Sequence, residues 1–464
     1  MMTWLRNITL TSLLILASLS YAAPADLMDV YKQALENDPI FKEAYSTYMA
    51  SREAVPQARA PLYPQASVRA STYRVIQDTT TNTIGGLFSF QGTFDTTIWQ
   101  LTTSQTIFNF KVWASLRQAH ATVKAAQAVF NSAAQDLILR TARSYFDVLL
   151  ANDTLVFAIA KKRANHRQYQ QANQRFKVGL DAITSVYEAK AAFDQSTAEV
   201  IAGENNLENQ KENLRKLTAH KYESIAPLRN QYVPLIKPEP ADIDDWVNTS
   251  ISQNYSYLAR KYNLEAARDN IKAANAGHMP TLGVEGTALQ VRNKINNSNF
   301  FAPANNGDAR IGIVLSVPLF QGGLVESQVR QAQYNFQVAS EQLEQSYRGV
   351  VVDTRIAYNT IINGISKVKA DRQTLISQQN TVESTEAQFQ VGTRTMVDVT
   401  LAQQRLFEAQ RQLAQDQYAF ILAILQLKFL AGTLNVDDIE LVNSWLKTTR
   451  VSGFYSGDQS KSGK

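Results

Sequence analysis

The sequence predicts a membrane protein of the α+β class in which one structural unit is used twice. A Phe-x-Val-Gly motif at 176–179 returns at 389–392, at a shift of 213 residues. Two segments with the alternating pattern of β-hairpins, 65–107 and 281–319, each precede a long segment with helical spacing of apolar residues. The motif, the hairpin and the long helical segment each appear once in each half, which predicts a tandem internal duplication.

Further residues follow the same duplication. The shift of 213 pairs Tyr145 with Tyr358, and near the start of each half a shift of 216 pairs Pro64 with Pro280. Self-similarity at a fixed period is the signature of a repeated structural unit. The predicted segments are a first repeat at 23–226, a proline-rich linker at 227–240 and a second repeat at 241–447.

The two ends of the chain are predicted to lie outside the repeats. Residues 1–22 carry one positive charge at Arg6, then an apolar run at 8–19 and small residues, which is the pattern of a secretory signal peptide. The apolar run is shorter than the ~18 residues of a transmembrane helix. The Ser-, Gly- and Lys-rich segment 448–464 is predicted to be a disordered tail.

Each repeat is predicted to open with a helix. In the segment 26–60, Leu27 and Val30 share one apolar helical face, and Pro61 ends the helix. The corresponding helix of the second repeat is predicted over 244–276.

A β-hairpin follows in each repeat. The segment 65–107 alternates between apolar and polar residues and is rich in Thr and aromatic residues, while polar residues at 78–81 and Gly85-Gly86 predict its turn. The second hairpin has predicted strands at 282–291 and 311–317 and a polar loop at 293–308. Modest alternation of this kind is expected when one face of a sheet meets lipid and the other meets water.

The long helical segments predict two α-hairpins. Residues 111–178 contain neither Gly nor Pro, and they would form a rod of about 100 Å at ~1.5 Å per residue. Gly179 ends this rod, and a second helix returns, so that the hairpin covers 111–222. The second repeat has the same plan over 323–431, with its turn at Gly392.

Four membrane strands in one chain cannot close a barrel. Open sheet edges in lipid leave backbone groups without partners, at a cost of several kcal/mol each. The smallest closed membrane barrels have about eight strands, so the chain must oligomerise, and a dimer would supply eight strands and a trimer twelve. An eight-stranded barrel leaves little more than room for side chains, so an open conduit favours a trimer whose helices continue the barrel as a tube of twelve.

The composition argues against several other classes of protein. The formal net charge is only +5, and no stripe of Lys and Arg with interleaved aromatic residues is present, so nucleic acid is not expected as a partner. The chain has no Cys, and its four His show no ligand spacing, so no metal site and no cofactor are predicted. No catalytic grouping or nucleotide fingerprint is found, and the protein is predicted not to be an enzyme.

Several motifs resemble those of the TolC family of outer-membrane efflux channels. The most specific are Thr-Ala-Arg-Ser-Tyr-Phe at 141–146, Arg-Phe-Lys-Val-Gly-Leu-Asp-Ala-Ile-Thr at 175–184, Leu-Phe-Gln-Gly-Gly at 319–323 and Gly-Thr-Leu-Asn at 432–435. The resemblance covers the chain from about residue 26 to residue 435. It implies a homotrimer with a 12-stranded outer-membrane β-barrel, a 12-helix periplasmic α-barrel and a small mixed α/β equatorial domain that includes the linker.

The resemblance further implies a passive exit duct for drugs and toxic compounds, for type I protein secretion, or for both. Such a duct works with a periplasmic adaptor and an energised inner-membrane transporter of the RND or ABC type, in a Gram-negative envelope. In the family, the adaptor docks at the periplasmic tip, where the two Val-Gly turns lie. Carried over by position, the docking residues are Val178, Gly179, Leu180, Val391, Gly392 and Thr393.

The resemblance also implies a gate at the same tip. The family's Arg after the second Val-Gly turn ties neighbouring helices together, and Arg394 matches it, while Thr184 matches one of its partners. Two other partners differ, since the family's Tyr is Phe389 here and its Asp is Ser185. Asp398 matches the first of the family's entrance acids. These five residues are the expected gate, and its latch is expected to differ from the family pattern.

An alternative class of protein fits part of the pattern. An elongated periplasmic scaffold or adaptor that conducts nothing would carry the same helices and use its strands as a soluble β-domain. Six apolar side chains separate the two interpretations, because only the channel places them in lipid: Ile311, Ile313, Leu315, Val317, Trp99 and Leu101.

Overall fold

The architecture comes from a computed structural model, which describes residues 24–229, 233–298 and 304–447. The predicted signal peptide at 1–22 and the predicted tail at 448–464 lie outside the described residues, as do 230–232 of the linker. The described chain consists of long and short helices and one four-stranded sheet.

The long helices and the strand pairs come in the same order in both repeats. The first repeat contains α1 (Leu27–Asn37), α2 (Pro39–Arg52), α3 (Ala54–Arg59), β1 (Gln65–Thr83), β2 (Gly86–Phe108), α4 (Phe110–Lys177) and α5 (Ile183–Thr218). The second contains α6 (Ile243–Gln253), α7 (Tyr255–Asn275), β3 (Thr281–Ser298), β4 (Asn306–Ser316), α8 (Leu324–Gln390), α9 (Met396–Ala431) and α10 (Val436–Asn443). A short 3₁₀ turn precedes the first strand of each repeat, at 60–62 and at 276–278.

The predicted opening helices, 26–60 and 244–276, are each broken. The breaks at Asp38 and Asn254 are equivalent positions, where the backbone is extended and the side chain accepts a 2.9 Å hydrogen bond from the N–H three residues further on. The first segment breaks again after Arg52. An apolar face predicts only that a segment is helical, whereas Asp and Asn side chains cap a new helix more favourably than they continue an old one.

The four strands form one antiparallel sheet in the order β1-β2-β3-β4. β1 and β2 pair from Gln65 opposite Ser104 to Thr83 opposite Gly86. The turn predicted at Gly85-Gly86 is confirmed, whereas the turn predicted at 78–81 is wrong, because these residues continue β1.

The polar loop predicted at 293–308 is also partly strand. β3 continues to Ser298, and β4 begins at Asn306. Pairing with a neighbouring strand outweighs the weak intrinsic strand propensity of Asp and Asn in both hairpins.

Side chains alternate between two faces of the sheet. The outer face carries the large apolar side chains Val68, Trp99, Leu101, Ile311, Ile313 and Leu315, all of them exposed. On the opposite, inner face, Phe94 is only 7% exposed, whereas Ile311 on the outer face is 79% exposed. This difference in exposed fraction is expected when the sheet curls toward its inner face.

The long helices form two hairpins of unequal arms. α4 has 68 residues and α8 has 67, so each is about 100 Å long, while the returning helices α5 and α9 have 36 residues each. α5 ends at Thr218, four residues before the predicted end of its hairpin. Beyond the returning helices, α4 packs against α2 and α7, and α7 also packs against α8.

The main core lies where the short helices meet the long ones. Its largest fully buried side chains include Tyr145 and Phe146 of α4, Ile361 of α8 and Phe420 of α9. A separate small cluster lies at the far end of the hairpins. Within the described ranges, no helix combines the length and the apolar content that a membrane span requires.

The equivalent tyrosines of the two repeats both hold the chain segment that joins the repeats. The hydroxyl of Tyr145 donates to the carbonyl of Ala226 at 2.7 Å. The hydroxyl of Tyr358 donates to the carbonyl of Ala241. Both ends of the linker are thereby attached to the long helices, each through the residue that the duplication pairs.

Candidate functional site

The two Val-Gly turns have nearly the same backbone. Gly179 has φ +78° and Gly392 has φ +81°, in the left-handed region that glycine enters without a Cβ penalty. In the first turn the N–H of Leu180 donates to the carbonyl of Arg175 at 2.9 Å, and in the second the N–H of Thr393 donates to Gln388 at 3.0 Å. The glycine N–H of each turn also donates to the carbonyl of the phenylalanine three residues before it, so both turns end their long helix with the same Schellman motif.

The predicted docking residues lie on the outside of these turns. Val178, Leu180 and Val391 are exposed apolar side chains, and both glycines are exposed as well. Thr393 is exposed, and its hydroxyl donates to the carbonyl of Gln388 at 3.0 Å. The turns present an apolar surface that nothing in the described chain covers.

A small cluster behind the turns, the tip cluster, joins the two hairpins. It is built by residues from all four long helices: Ala172 of α4, Val186 and Ala189 of α5, Phe389 of α8, and Met396 and Val399 of α9. The duplication pairs Val186 with Val399. The cluster therefore contains equivalent residues from the two repeats, and the repeats pack together there.

Phe389, a predicted gate residue, lies inside the tip cluster. Its ring is 7% exposed, and the Arg175 guanidinium stands over it, 5.2 Å from the ring centroid. Asp181 accepts two hydrogen bonds from Arg175, at 2.9 and 3.2 Å, and so fixes the guanidinium in place. A cation over an aromatic face is attracted by the ring quadrupole, so Arg175 connects the first hairpin to the second.

Arg394, the expected latch residue, contacts its own hairpin. Its Nε donates to Gln388 at 3.2 Å, and its Nη1 lies 3.7 Å from Asp398. Its expected partner Thr184 is exposed, Ser185 is half-buried, and neither contacts Arg394 within the described part of the chain. The structure therefore brings Arg394 and Asp398 together but leaves Thr184 and Ser185 apart from them.

Asp398 shapes the start of α9. Its carboxylate accepts the backbone N–H of Thr395 at 2.9 Å, and its own N–H donates to the Thr395 hydroxyl at 3.3 Å, which together form a capping box. The hydrogen bond from the Thr395 backbone lowers the pKa of Asp398, and the nearby Arg394 acts in the same direction. The carboxylate therefore stays ionised at neutral pH.

Arg175, Asp181 and Gln388 are site residues that the sequence pattern did not assign. The duplication pairs Arg175 with Gln388 and Asp181 with Arg394, and in each repeat the two residues contact each other across the turn. In the first repeat, the opposite charges of two residues six positions apart, on either side of the Val-Gly turn, were the sequence signal that could have identified this contact. The contact with Phe389 had no sequence signal, because it joins residues of different repeats.

A second group of charged residues lies further along the second hairpin. Asp416 accepts hydrogen bonds from Lys367 at 2.8 Å and from Gln412 at 2.7 Å. Burial raises the pKa of Asp371 to about 6, and the neighbouring Asp416 adds to this shift. Burial also opposes ionisation of Asp416, but the hydrogen bonds from Lys367 and Gln412 outweigh it and lower its pKa. The two carboxyl groups share a proton more readily than either would hold one alone.

The chain matches a family and several known proteins over most of its length. The family model described as outer membrane efflux protein matches residues 30–220 and 246–433. The outer membrane protein TolC of Vibrio cholerae serotype O1 is 37% identical over 437 residues, which cover 94% of this chain and 97% of that protein. The alkaline protease secretion protein AprF of Pseudomonas aeruginosa is 29% identical over 446 residues, which cover 95% of this chain and 90% of that protein.

A solved structure supports the fold independently. The crystal structure of the outer membrane protein VceC from Vibrio cholerae matches with a TM-score of 0.73 at 18% identity, and covers 88% of this chain and 96% of that one. At this identity the likeness concerns the fold alone.

Proposed function

The chain belongs to the outer membrane efflux protein family, and we propose that three copies of it build a continuous duct through the outer membrane and far into the periplasm. The protein is an outer-membrane exit duct for efflux and type I secretion. Its four-stranded sheet is the single observation that carries the trimeric assembly.

The sheet supports closure by sister copies. Within one chain, β1 and β4 are its outermost strands, each paired on one side. The apolar outer face suits lipid, in which an unpaired strand edge costs several kcal/mol for each unsatisfied group. Three copies supply twelve strands, enough for an open lumen, while the four long helices of each copy supply a twelve-helix tube.

The exposed turns support docking of a periplasmic adaptor. Val178, Leu180 and Val391 would meet apolar side chains of the adaptor, and Gly179, Gly392 and Thr393 allow close approach of its backbone. The adaptor would connect the duct to an energised inner-membrane transporter of the RND or ABC type. The duct itself is then a passive conduit and carries out no catalysis.

The tip cluster supports a gate that is held by stacking. In the proposed closed state, Arg175 lies over Phe389 and ties the two hairpins together, in place of a hydrogen bond from a Tyr at 389. Arg394 and Asp398 lie beside this contact on the second turn, where Asp398 from three copies would form an acidic ring. Thr184 and Ser185 of α5 in the neighbouring copy would then be within reach of Arg394.

The deciding experiment measures conductance and lipid contact in the same preparation. The purified protein is expected to run as a heat-resistant trimer and to give single-channel currents in planar bilayers. Spin labels at Ile311 and Ile313 should be relaxed by lipid-soluble oxygen, whereas a label at Arg310, on the inner face, should respond to a water-soluble relaxant. A non-conducting monomer whose Ile311 label contacts water would establish the scaffold interpretation instead.

A second experiment tests docking. The double substitution Val178→Ser and Val391→Ser should reduce drug resistance in a complementation assay, because it removes apolar contact area from both turns. Val436→Ser changes another exposed valine, in α10 away from the turns, and should have no effect. Full complementation by the double variant, with normal trimer levels, would place the adaptor elsewhere.

A further inference from the structure

A shallow groove crosses the outer face of the sheet. It has a volume of about 480 Å³ and is lined by the large side chains Val68, Trp99 and Leu101 beside the small residues Ala288, Gly307 and Ala309. In the register of the sheet, Ala288 lies between Leu101 and Ala309, so the small residues expose the backbone next to a wall of apolar side chains. The groove therefore offers apolar side chains and accessible backbone along the outer face.

A basic cluster lies on the same face, directly beyond the groove. Arg292 and Lys294 follow Gln290 on β3 at the spacing that keeps side chains on one face of a strand. Arg292 is opposite Thr97, and Lys294 is opposite Asp95. Both basic residues are exposed.

Arg74 of β1 completes the cluster. It donates to Asp95 at 2.8 and 3.3 Å, so that one carboxylate lies between two strands that carry cations. With Arg292 and Lys294, the cluster has three cations and one carboxylate on this face, which leaves it with a net positive charge. A face that lay in hydrocarbon throughout would not carry these charges.

The height of the cluster matches the edge of a membrane. Arg292 is ten residues beyond Leu282, where the apolar outer face begins beside Leu315. At ~3.3 Å per residue and a strand tilt of about 40°, it lies roughly 25 Å higher, which is the height of the apolar band of an outer-membrane barrel. If the long helices point into the periplasm, as the proposed function requires, this edge is the external one.

We propose that the groove and the basic cluster together bind a phosphorylated, acylated lipid of the outer leaflet, with an acyl chain along Trp99 and Leu101 and a phosphate on Arg292 and Lys294. The two parts lie about 13 Å apart along β3, from Ala288 to Arg292, which suits a headgroup and the upper part of its chain. The positive charge of the basic cluster favours a phosphate. The small residues form a groove, which favours a single acyl chain over a flat bilayer surface. This inference rests on the proposed function, because it needs the outer face in lipid.

The experiment uses the purified, conducting trimer and diphosphorylated lipid A as the probe. Bound lipid is counted by native mass spectrometry, and Arg292→Gln/Lys294→Gln is compared with Arg69→Gln/Arg310→Gln, which removes the same charge from the inner face. About fivefold in affinity is expected for each basic residue near a lipid phosphate, so the outer-face variant should lose roughly 25-fold and the inner-face variant nearly nothing. Ala309→Trp, which fills the groove, should also weaken binding while both basic residues remain.

Several outcomes would overturn the proposal. These are unchanged binding by the outer-face variant, equal binding of phosphatidylethanolamine, or full displacement of lipid A by inorganic phosphate alone. If the outer-face variant does not form trimers, the wild-type trimer still tests the idea, because binding to a phosphate should weaken as salt rises and binding without one should not. Single-channel conductance in the same preparation distinguishes failure of this inference from failure of the proposed function. A trimer that conducts but shows no lipid preference refutes this inference alone.

Discussion

The two Val-Gly turns share a backbone and differ in their charges. The glycine φ angles differ by only a few degrees, and the carbonyls that accept their hydrogen bonds are equivalent. Yet the pair across the first turn is Arg175 with Asp181, and the equivalent pair across the second is Gln388 with Arg394. The first turn directs its cation inward over Phe389, whereas the second leaves its cation exposed.

The starts of the returning helices differ in the same way. α9 begins with the capping box of Thr395 and Asp398, while the equivalent residues at the start of α5 are Ala182 and Ser185, and Ala182 provides no side-chain cap. Duplication therefore preserved what the backbone needs at each turn. The polar side chains diverged, because the first turn ties the hairpins together and the second faces the proposed entrance.

The largest expected difference is between the two equivalent phenylalanines. Phe389→Ala should cost about 3 kcal/mol of local stability, because it empties the tip cluster, whereas Phe176→Ala should cost less than about 1 kcal/mol. Phe176 is 40% exposed and Phe389 is 7% exposed. Hydrogen exchange at the tip should therefore lose roughly 100-fold protection in the first variant and only a few-fold in the second.

A substitution at Phe389 alone also separates stacking from burial. Phe389→Leu keeps an apolar side chain but removes the aromatic face beneath Arg175, so it should lose about 0.5–1 kcal/mol for the stacked cation in addition to any packing loss. Equal exchange rates in Phe389→Ala and Phe176→Ala would show that the two turns are alike in energy as well as in backbone.

The glycines should give equal effects, unlike the phenylalanines. Gly179→Ala and Gly392→Ala should each cost about 1 kcal/mol, because both positions have positive φ while an added Cβ would meet open space. Gly349→Ala is the matched control, since that glycine is inside α8 with open space around it, and the change should stabilise the helix by up to about 1 kcal/mol. Unequal losses of stability at Gly179 and Gly392 would mean that the two turns differ in backbone strain despite their similar φ angles.

The helix caps permit an exchange between the repeats. Thr395→Ala should destabilise the start of α9 by about 1 kcal/mol, and Ala182→Thr should stabilise the start of α5 by up to a similar amount, because Ala182 already has the extended backbone of a cap residue. Exchange protection in the first turn of each helix measures both changes. No gain from Ala182→Thr would indicate that another feature of the first turn excludes a cap.

Much of this fold follows from the sequence for physical reasons. Helical spacing of apolar residues and the absence of Gly and Pro over 111–178 predict one long helix, and a glycine after Phe-x-Val ends it. The breaks at Asp38 and Asn254 were not predicted, because the apolar face continues across both while the backbone is interrupted by the cap. The extended strands at 78–81 and 293–298 depend on pairing with partners that local propensity does not reveal.

The site was predictable only in part. The exposed turns coincide with the repeated motif, and the docking roles given to their residues by position stay predictions. The stacking of Arg175 on Phe389 joins the two repeats, and nothing in either copy of the motif specifies how the copies pack. The capping role of Asp398 could be predicted from the sequence, because Thr395 precedes it by three residues. The position of Asp398 in a lumen depends on the assembly instead.

The smallest expected difference concerns pH and the middle of the hairpins. Asp371 and Asp416 of the second hairpin are equivalent to Ala158 and Gly203 of the first, so only the second hairpin has this acid pair. The pKa of Asp371 is raised to about 6 from an ordinary value of 3.8, so the folded state holds the proton more tightly than the unfolded state. Stability from this group is therefore fully present below the ordinary value and is lost as pH rises toward 6.

Asp371→Asn should remove that loss, because the amide cannot ionise and still donates to Asp416. Above pH 6 the second hairpin should be more stable in the variant than in the wild type by under about 1 kcal/mol, after allowance for solvent screening. This gain in stability should vanish near pH 4. Hydrogen exchange, corrected for its intrinsic pH dependence, measures this in both hairpins of one molecule. The first hairpin is the internal control, and Asp353→Asn, an exposed acid of α8, is the matched substitution. An equal pH response in both hairpins would assign the effect to something that the repeats share, and the acid pair would then be energetically silent.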